Sequence, residues 1–129
     1  MEQLKTKTIL YVEDSEDHRE MYTELLEEYF QKFVVAADGL EALKVLDGDL
    51  KFDLIISDLR MPNMDGLTLY RKLREAKRNY PFLLATGELI AREEVISQSK
   101  DPLFDVAPKP FKIETLLEQA ERLINLSSK

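Results

Sequence analysis

A chain of 129 residues is one domain by length, and it can bury roughly 65–70% of the surface that its unfolded form exposes. A net charge of −7 argues against nucleic acid or an anionic membrane as the main partner. The lack of cysteine excludes a disulfide framework and thiol chemistry, and no stretch reaches the roughly 20 apolar residues of a membrane span.

The first residues, Met1-Glu2-Gln3-Leu4-Lys5, lack the apolar core of a signal peptide, so the expected location is the cytoplasm. Thr8-Ile9-Leu10-Tyr11-Val12 reads as a buried strand. Met21, Tyr22, Leu25, Leu26, Tyr29 and Phe30 recur at helical spacing and predict a helix over 16–31. Phe33-Val34-Val35-Ala36 is a second strand. Asp38-Gly39 signals a turn, and Leu40, Leu43 and Leu46 predict a short helix ending at Asp47-Gly48. Phe52 to Ser57 is the third strand, and Leu67, Tyr70, Leu73 and Arg74 mark a third helix. Pro81-Phe82-Leu83-Leu84-Ala85 is the fourth strand, with proline at its first position, where a ladder tolerates it. A weaker fourth helix is expected over 88–97, then a fifth strand over 103–107. Ile113, Leu116, Leu117, Ala120 and Ile124 form an apolar stripe on a final helix.

Five strands alternating with helices predict an α/β fold with a parallel sheet covered on both faces. No repeat, linker or low-complexity segment interrupts the pattern, so residues 1–129 read as a single domain.

The polar residues concentrate where the apolar runs end. Asp58 closes the third strand, Glu13-Asp14 the first and Thr86 the fourth, and Lys109 follows the fifth. Open α/β sheets bind ligands at these C-terminal strand tips. Three carboxylates, a hydroxyl and an ammonium on one edge suit a divalent cation and a phosphoryl group. Taken singly, each has a plainer reading. Glu13-Asp14 can cap a helix, Asp58 and Thr86 can be turn residues, and Lys109 can be a solvated lysine. Those readings leave the shared position at successive strand ends unexplained. His18 sits among Glu16, Asp17, Arg19 and Glu20 and reads as a solvated helix residue.

In order and context, Glu13-Asp14, Asp58, Thr86 and Lys109 resemble the receiver domain of two-component response regulators. The resemblance spans essentially the whole chain. Its most specific pieces are Asp58 followed by Met61-Pro62-Asn63-Met64-Asp65-Gly66, and Lys109-Pro110-Phe111. It implies a flavodoxin-like (βα)5 doubly wound sheet in the order 2-1-3-4-5. It also implies a single receiver domain over 1–129 without an output domain. Asp58 would be the phosphoacceptor, and Lys109 would stabilise the transferring oxygens. Thr86 would donate its hydroxyl to the phosphoryl group. Mg2+ would be held by Asp14, Asp58 and the backbone carbonyl of Arg60, with Glu13 acting directly or through a water. Lys109-Pro110 would be a cis peptide. The implied partners are a sensor histidine kinase or a histidine phosphotransfer protein, and a downstream protein target, with no nucleic acid and no membrane. Catalysis would extend only to self-phosphorylation and self-dephosphorylation at Asp58.

Four positions around the site depart from the family pattern. Val106 stands three residues before Lys109, where receivers usually carry a switch Tyr or Phe, and Phe104 shares its strand face by the period-2 rule. Arg60 and Glu88 would flank the phosphoryl group with opposite charges. Pro108 turns the approach to the lysine into Pro-Lys-Pro. Two other functions fit parts of the pattern. One is a Mg2+-dependent phosphohydrolase with an aspartyl intermediate, which typically has a second Asp where Arg60 stands. The other is a degenerate receiver acting as a constitutive interaction module, which Val106 favours and the intact Asp14, Asp58 and Lys109 oppose.

Overall fold

A computed structural model describes residues 2–87 and 100–128. A 3₁₀ turn, Glu2–Thr6, leads into β1 (Thr8–Val12), α1 (Glu16–Leu26), β2 (Lys32–Ala36), α2 (Gly39–Leu46), β3 (Leu54–Asp58) and α3 (Gly66–Glu75). The chain then forms β4 (Phe82–Thr86), β5 (Phe104–Pro108) and the last described helix, α4 (Ile113–Ser127). The strands pair in parallel as β2-β1-β3-β4-β5, the order that the resemblance implies.

Alternate side chains of each strand go to opposite faces, and this sorts the apolar residues into two cores. Ile9, Tyr11, Leu54, Ile56, Leu83 and Ala107 pack with Tyr22 and Leu26 of α1 and with the stripe of α4. Leu10, Val12, Ile55, Phe82, Leu84 and Val106 pack with Ala42, Leu46, Leu69 and Leu73 of α2 and α3. A sheet buried on both faces needs strands that are apolar throughout, and all of Thr8–Val12 is buried.

Three helices start on a capping side chain set just beyond a strand. Ser15 accepts from the His18 N–H at 3.3 Å, Asp38 from Glu41 at 2.8 Å and Asp65 from Thr68 at 2.7 Å. These caps fix the loops at the C-terminal edge of the sheet. At the opposite edge Arg74 acts as a clasp. Its Nε lies 2.6 Å from Asp101 Oδ2, and its Nη2 donates to the Tyr80 carbonyl at 2.6 Å. Tyr70 and the Leu103 N–H also donate to Asp101, at 2.7 and 2.9 Å. Burial pushes the Asp101 carboxyl up, but the bonds from Arg74, Tyr70 and Leu103 outweigh it and hold the group below its usual range.

Several boundaries differ from the sequence reading. The first α-helix stops at Leu26 and continues as a 3₁₀ turn over Glu27–Tyr29, rather than running to residue 31. Tyr22 and Leu26 are buried, while Met21 and Leu25 are 44% and 45% exposed, so the apolar stripe is narrower than the spacing implied. In α2 the buried positions are Gly39, Ala42 and Leu46, and Leu40 is 49% exposed. The helix approaches Met64 so closely that a Cβ at Gly39 would lie 2.8 Å from its sulfur, so the small residues turn inward. The third strand starts two residues later than expected and ends on Asp58 itself. Leu4 and Leu123, which the apolar patterns did not pick out, are fully buried. The helix expected over 88–97 lies outside the described residues.

Candidate functional site

The register of the sheet brings the chemistry together. Val12 pairs with Ser57, Asp58 with Ala85 and Thr86 with Pro108, so the ends of β1, β3, β4 and β5 lie level. Glu13 and Asp14 leave β1 there, Asp58 and Thr86 end their strands, and Lys109 leaves β5. The Lys109 N–H donates to the Thr86 carbonyl at 3.1 Å, which continues the β4–β5 ladder into the site. The Lys109-Pro110 peptide is cis, as the resemblance implies.

Carboxylate oxygens of Glu13, Asp14 and Asp58 all lie within 4.8 Å of one another. Three anions this close repel unless a proton or a cation intervenes. Burial and the neighbouring Glu13 outweigh Lys109 and push the Asp58 carboxyl up to about 6. Burial, followed by Glu13, also raises Asp14. Glu13 moves the other way. Its burial favours the neutral acid, but the Lys109 ammonium and the Ser15 N–H hold it below the usual carboxylate range.

Glu13 is the hub of the cluster and is 1% exposed. Its Oε1 takes an ion pair from Lys109 and lies 3.3 Å from His18 Nδ1. The Tyr11 hydroxyl donates to the same oxygen at 3.4 Å, and the Ser15 N–H donates to Oε2 at 3.3 Å. Lys109 also lies 3.6 Å from Asp58 Oδ1, so one ammonium faces two carboxylates and sits closer to Glu13. Arg19 Nη1 donates to the carbonyls of Glu13 and Asp14 at 2.7 and 3.0 Å, which turns both carbonyl dipoles toward α1.

The loop after Asp58 is built for close approach. The Leu59 N–H donates to Ala85 and the Gly66 N–H to Leu59, both at 2.9 Å. Asn63 turns the chain with φ of 69°. A Cβ on Gly66 would lie 2.2 Å from the Asp58 carbonyl oxygen, so only glycine lets α3 start against the phosphoacceptor candidate.

Of the six residues singled out from sequence, Glu13, Asp14, Asp58, Thr86 and Lys109 gather at this edge, and Arg60 lies exposed in the loop that follows β3. The proposed Arg60–Glu88 pair rests on residue 88, outside the described residues. Val106 and Phe104 do share a face, and Val106 is fully buried. Sequence reasoning missed Tyr11 and Arg19; it set His18 in the first turn of the first helix as a solvated residue, and the half-exposed His18 ring also lies against Glu13 and Tyr22. A tyrosine on a strand, two residues before a site carboxylate just past its end, lies on the side to which the extended chain points that carboxylate, and that spacing was the available signal for Tyr11.

Comparison with known proteins agrees with this geometry. The family model for the response regulator receiver domain matches residues 9–121. The chemotaxis protein CheY-3 of Vibrio cholerae is 33% identical over 123 residues, covering 92% of each chain. The C4-dicarboxylate transport transcriptional regulatory protein DctD of Rhizobium meliloti is 32% identical over 89% of this chain, which spans only 25% of that protein. Transcription factor prr1 of Schizosaccharomyces pombe is 34% identical over 92% of this chain, and 22% of its own length is covered. Among solved structures, the receiver domain of the Francisella response regulator 1452 superposes with a TM-score of 0.79 at 26% identity, covering 95% of this chain and 99% of that one. The receiver domain of a histidine kinase from Syntrophus aciditrophicus gives 0.77 at 35% identity over 93% and 91%. The chain belongs to the receiver domain family of two-component response regulators.

Proposed function

We propose that this receiver takes a phosphoryl group on Asp58 and that Mg2+ is its cofactor. The observation that carries the reading is the placement of Asp58, at the tip of β3, within reach of two further carboxylates and one ammonium. The donor is a phosphohistidine of a sensor kinase or phosphotransfer protein. An Asp58 carboxylate oxygen attacks phosphorus, the P–N bond breaks, and the imidazole nitrogen leaves with a proton from solvent. An acyl phosphate remains. Water later attacks the same phosphorus, the P–O bond to Asp58 breaks, and inorganic phosphate departs.

The donor set fits the metal. Mg2+ takes hard oxygen ligands and keeps several waters, and the crowded carboxylates favour a cation. Asp14, Asp58 and the carbonyl of Arg60 would hold it. When bound it supplies positive charge against the carboxylates and the transferring oxygens. Lys109 adds a second positive charge from the β5 side, and Thr86 offers a hydroxyl at the end of β4. Val106 is buried and stiff at χ1, so it cannot swing as a switch aromatic does. The response therefore travels through Thr86 and the chain that follows it, toward a partner face that includes β5 and α4. The protein turns over no substrate of its own.

Incubation with acetyl phosphate and Mg2+, followed by intact mass measurement, tests this reading. One phosphoryl adduct on the wild type, and none on Asp58→Asn, is the expected result. An equal adduct on both overturns it.

A further inference from the structure

We propose that Tyr11 is a positioning residue of the phosphoacceptor site, one whose buried hydroxyl holds the Glu13 carboxylate on Lys109 and so limits how closely the ammonium approaches Asp58. The proposal rests on the receiver reading and assigns it a residue that the site's carboxylates and lysine do not include.

Tyr11 is fully buried on β1, between β2 and β3. Its ring is fixed by Tyr22, Phe33 and Phe111, with centroids 6.2, 5.7 and 6.5 Å away. A tyrosine packed this way has one place to put its hydroxyl, and a buried hydroxyl needs a partner. Here it reaches Glu13 Oε1 at 3.4 Å, the same oxygen that takes the ammonium of Lys109. The Ser15 N–H holds the other oxygen, so the carboxylate is gripped from the strand and from the start of α1.

The competition for Lys109 gives this grip a consequence. Its Nζ lies 3.6 Å from Asp58 Oδ1 while pairing with Glu13. With Glu13 held, Asp58 keeps its lone pairs available to attack phosphorus, and Lys109 stays near enough to meet the incoming oxygens. With Glu13 loosened, the ammonium moves onto Asp58 and blankets the nucleophile. A residue that serves only as core packing would leave that balance alone.

Tyr11→Phe removes the hydroxyl and keeps the ring. The expected result at saturating Mg2+ is phosphorylation by acetyl phosphate slowed about 3- to 10-fold, the range of one hydrogen bond. In Glu13→Gln protein, where Lys109 has already lost its closer counter-ion, the same substitution should change the rate less than twofold. Equal slowing in both backgrounds, or no slowing in either, overturns the proposal. A second readout needs no phosphoryl transfer. Carboxyl carbon NMR of the metal-free protein should show Asp58 Cγ moving when Tyr11 becomes Phe, and an unmoved resonance overturns the role. If wild-type protein takes no phosphoryl group, the receiver reading fails, and the NMR shift alone then decides whether Tyr11 sets the Glu13–Lys109–Asp58 balance.

Discussion

Asp58→Asn should make the metal-free protein more stable at neutral pH. The folded state raises this carboxyl from its usual 3.8 to about 6. A carboxyl raised by folding binds its proton more tightly in the folded state. It therefore costs nothing below about pH 4, where both states are neutral, and the cost grows until it is complete above about pH 6. A shift of about two units corresponds to ~3 kcal/mol at pH 7. The side chain is 15% exposed, so water screens part of the repulsion and about 1.5–3 kcal/mol is the reasonable expectation. Asparagine keeps the shape of the group, and Lys109 is not orphaned because Glu13 is its closer partner. In a chain of this length each kcal/mol moves Tm by about 4 °C, so a rise of ~6–12 °C is expected at pH 7.5 without metal. The gain should shrink toward zero at pH 4. Calorimetric melts of both proteins at the two pH values provide the assay. A variant that melts at or below the wild-type temperature at pH 7.5 refutes the crowding argument.

Other expectations follow from the same geometry. Millimolar-range Mg2+ should raise the wild-type Tm by mass action, and Asp14→Ala should remove most of that rise; a wild-type melt indifferent to Mg2+ would contradict the metal site. Gly66→Ala should cost at least ~2 kcal/mol in denaturant unfolding, because the new Cβ would meet the Asp58 carbonyl, which is backbone and cannot yield. The Asp101 carboxyl is held low, so its contribution is present above its unfolded pKa and lost as pH falls through the folded value; Arg74→Ala should remove the part that Arg74 supplies, while the bonds from Tyr70 and Leu103 keep the rest, making the variant's stability less sensitive to pH below about 4. Beryllofluoride, a phosphoryl mimic, should change hydrogen exchange after Thr86 more than at Val106, since the valine has no swing to make.

The strand ends were legible because burial and chemistry conflict there. An aspartate after Leu54-Ile55-Ile56-Ser57 is costly unless something compensates it, and three such tips in one chain order implied convergence. The strand boundaries shifted by one or two residues, since an apolar run does not say where the ladder stops. Phe52, for instance, is apolar and buried but precedes β3. The helix faces were less legible. Leu40, expected on the apolar face, turns outward and Ala42 inward because the contact between Gly39 and Met64 decides which side of α2 turns inward, and that contact spans 25 residues of chain. The pairing within the site could not be read at all. Spacing shows that Lys109 meets carboxylates, but whether it sits on Glu13 or on Asp58 depends on the reach of a glutamate and on the Tyr11 ring packing beneath it.

Borohydride trapping tests the central claim most directly. An acyl phosphate on an aspartate is reduced to homoserine, whereas phosphate esters and phosphohistidine are not. Wild-type protein treated with acetyl phosphate and Mg2+, then reduced and sequenced by mass spectrometry, should carry homoserine at position 58 and at no other acidic residue. Aspartate retained at 58, or homoserine at 14 instead, would contradict the account.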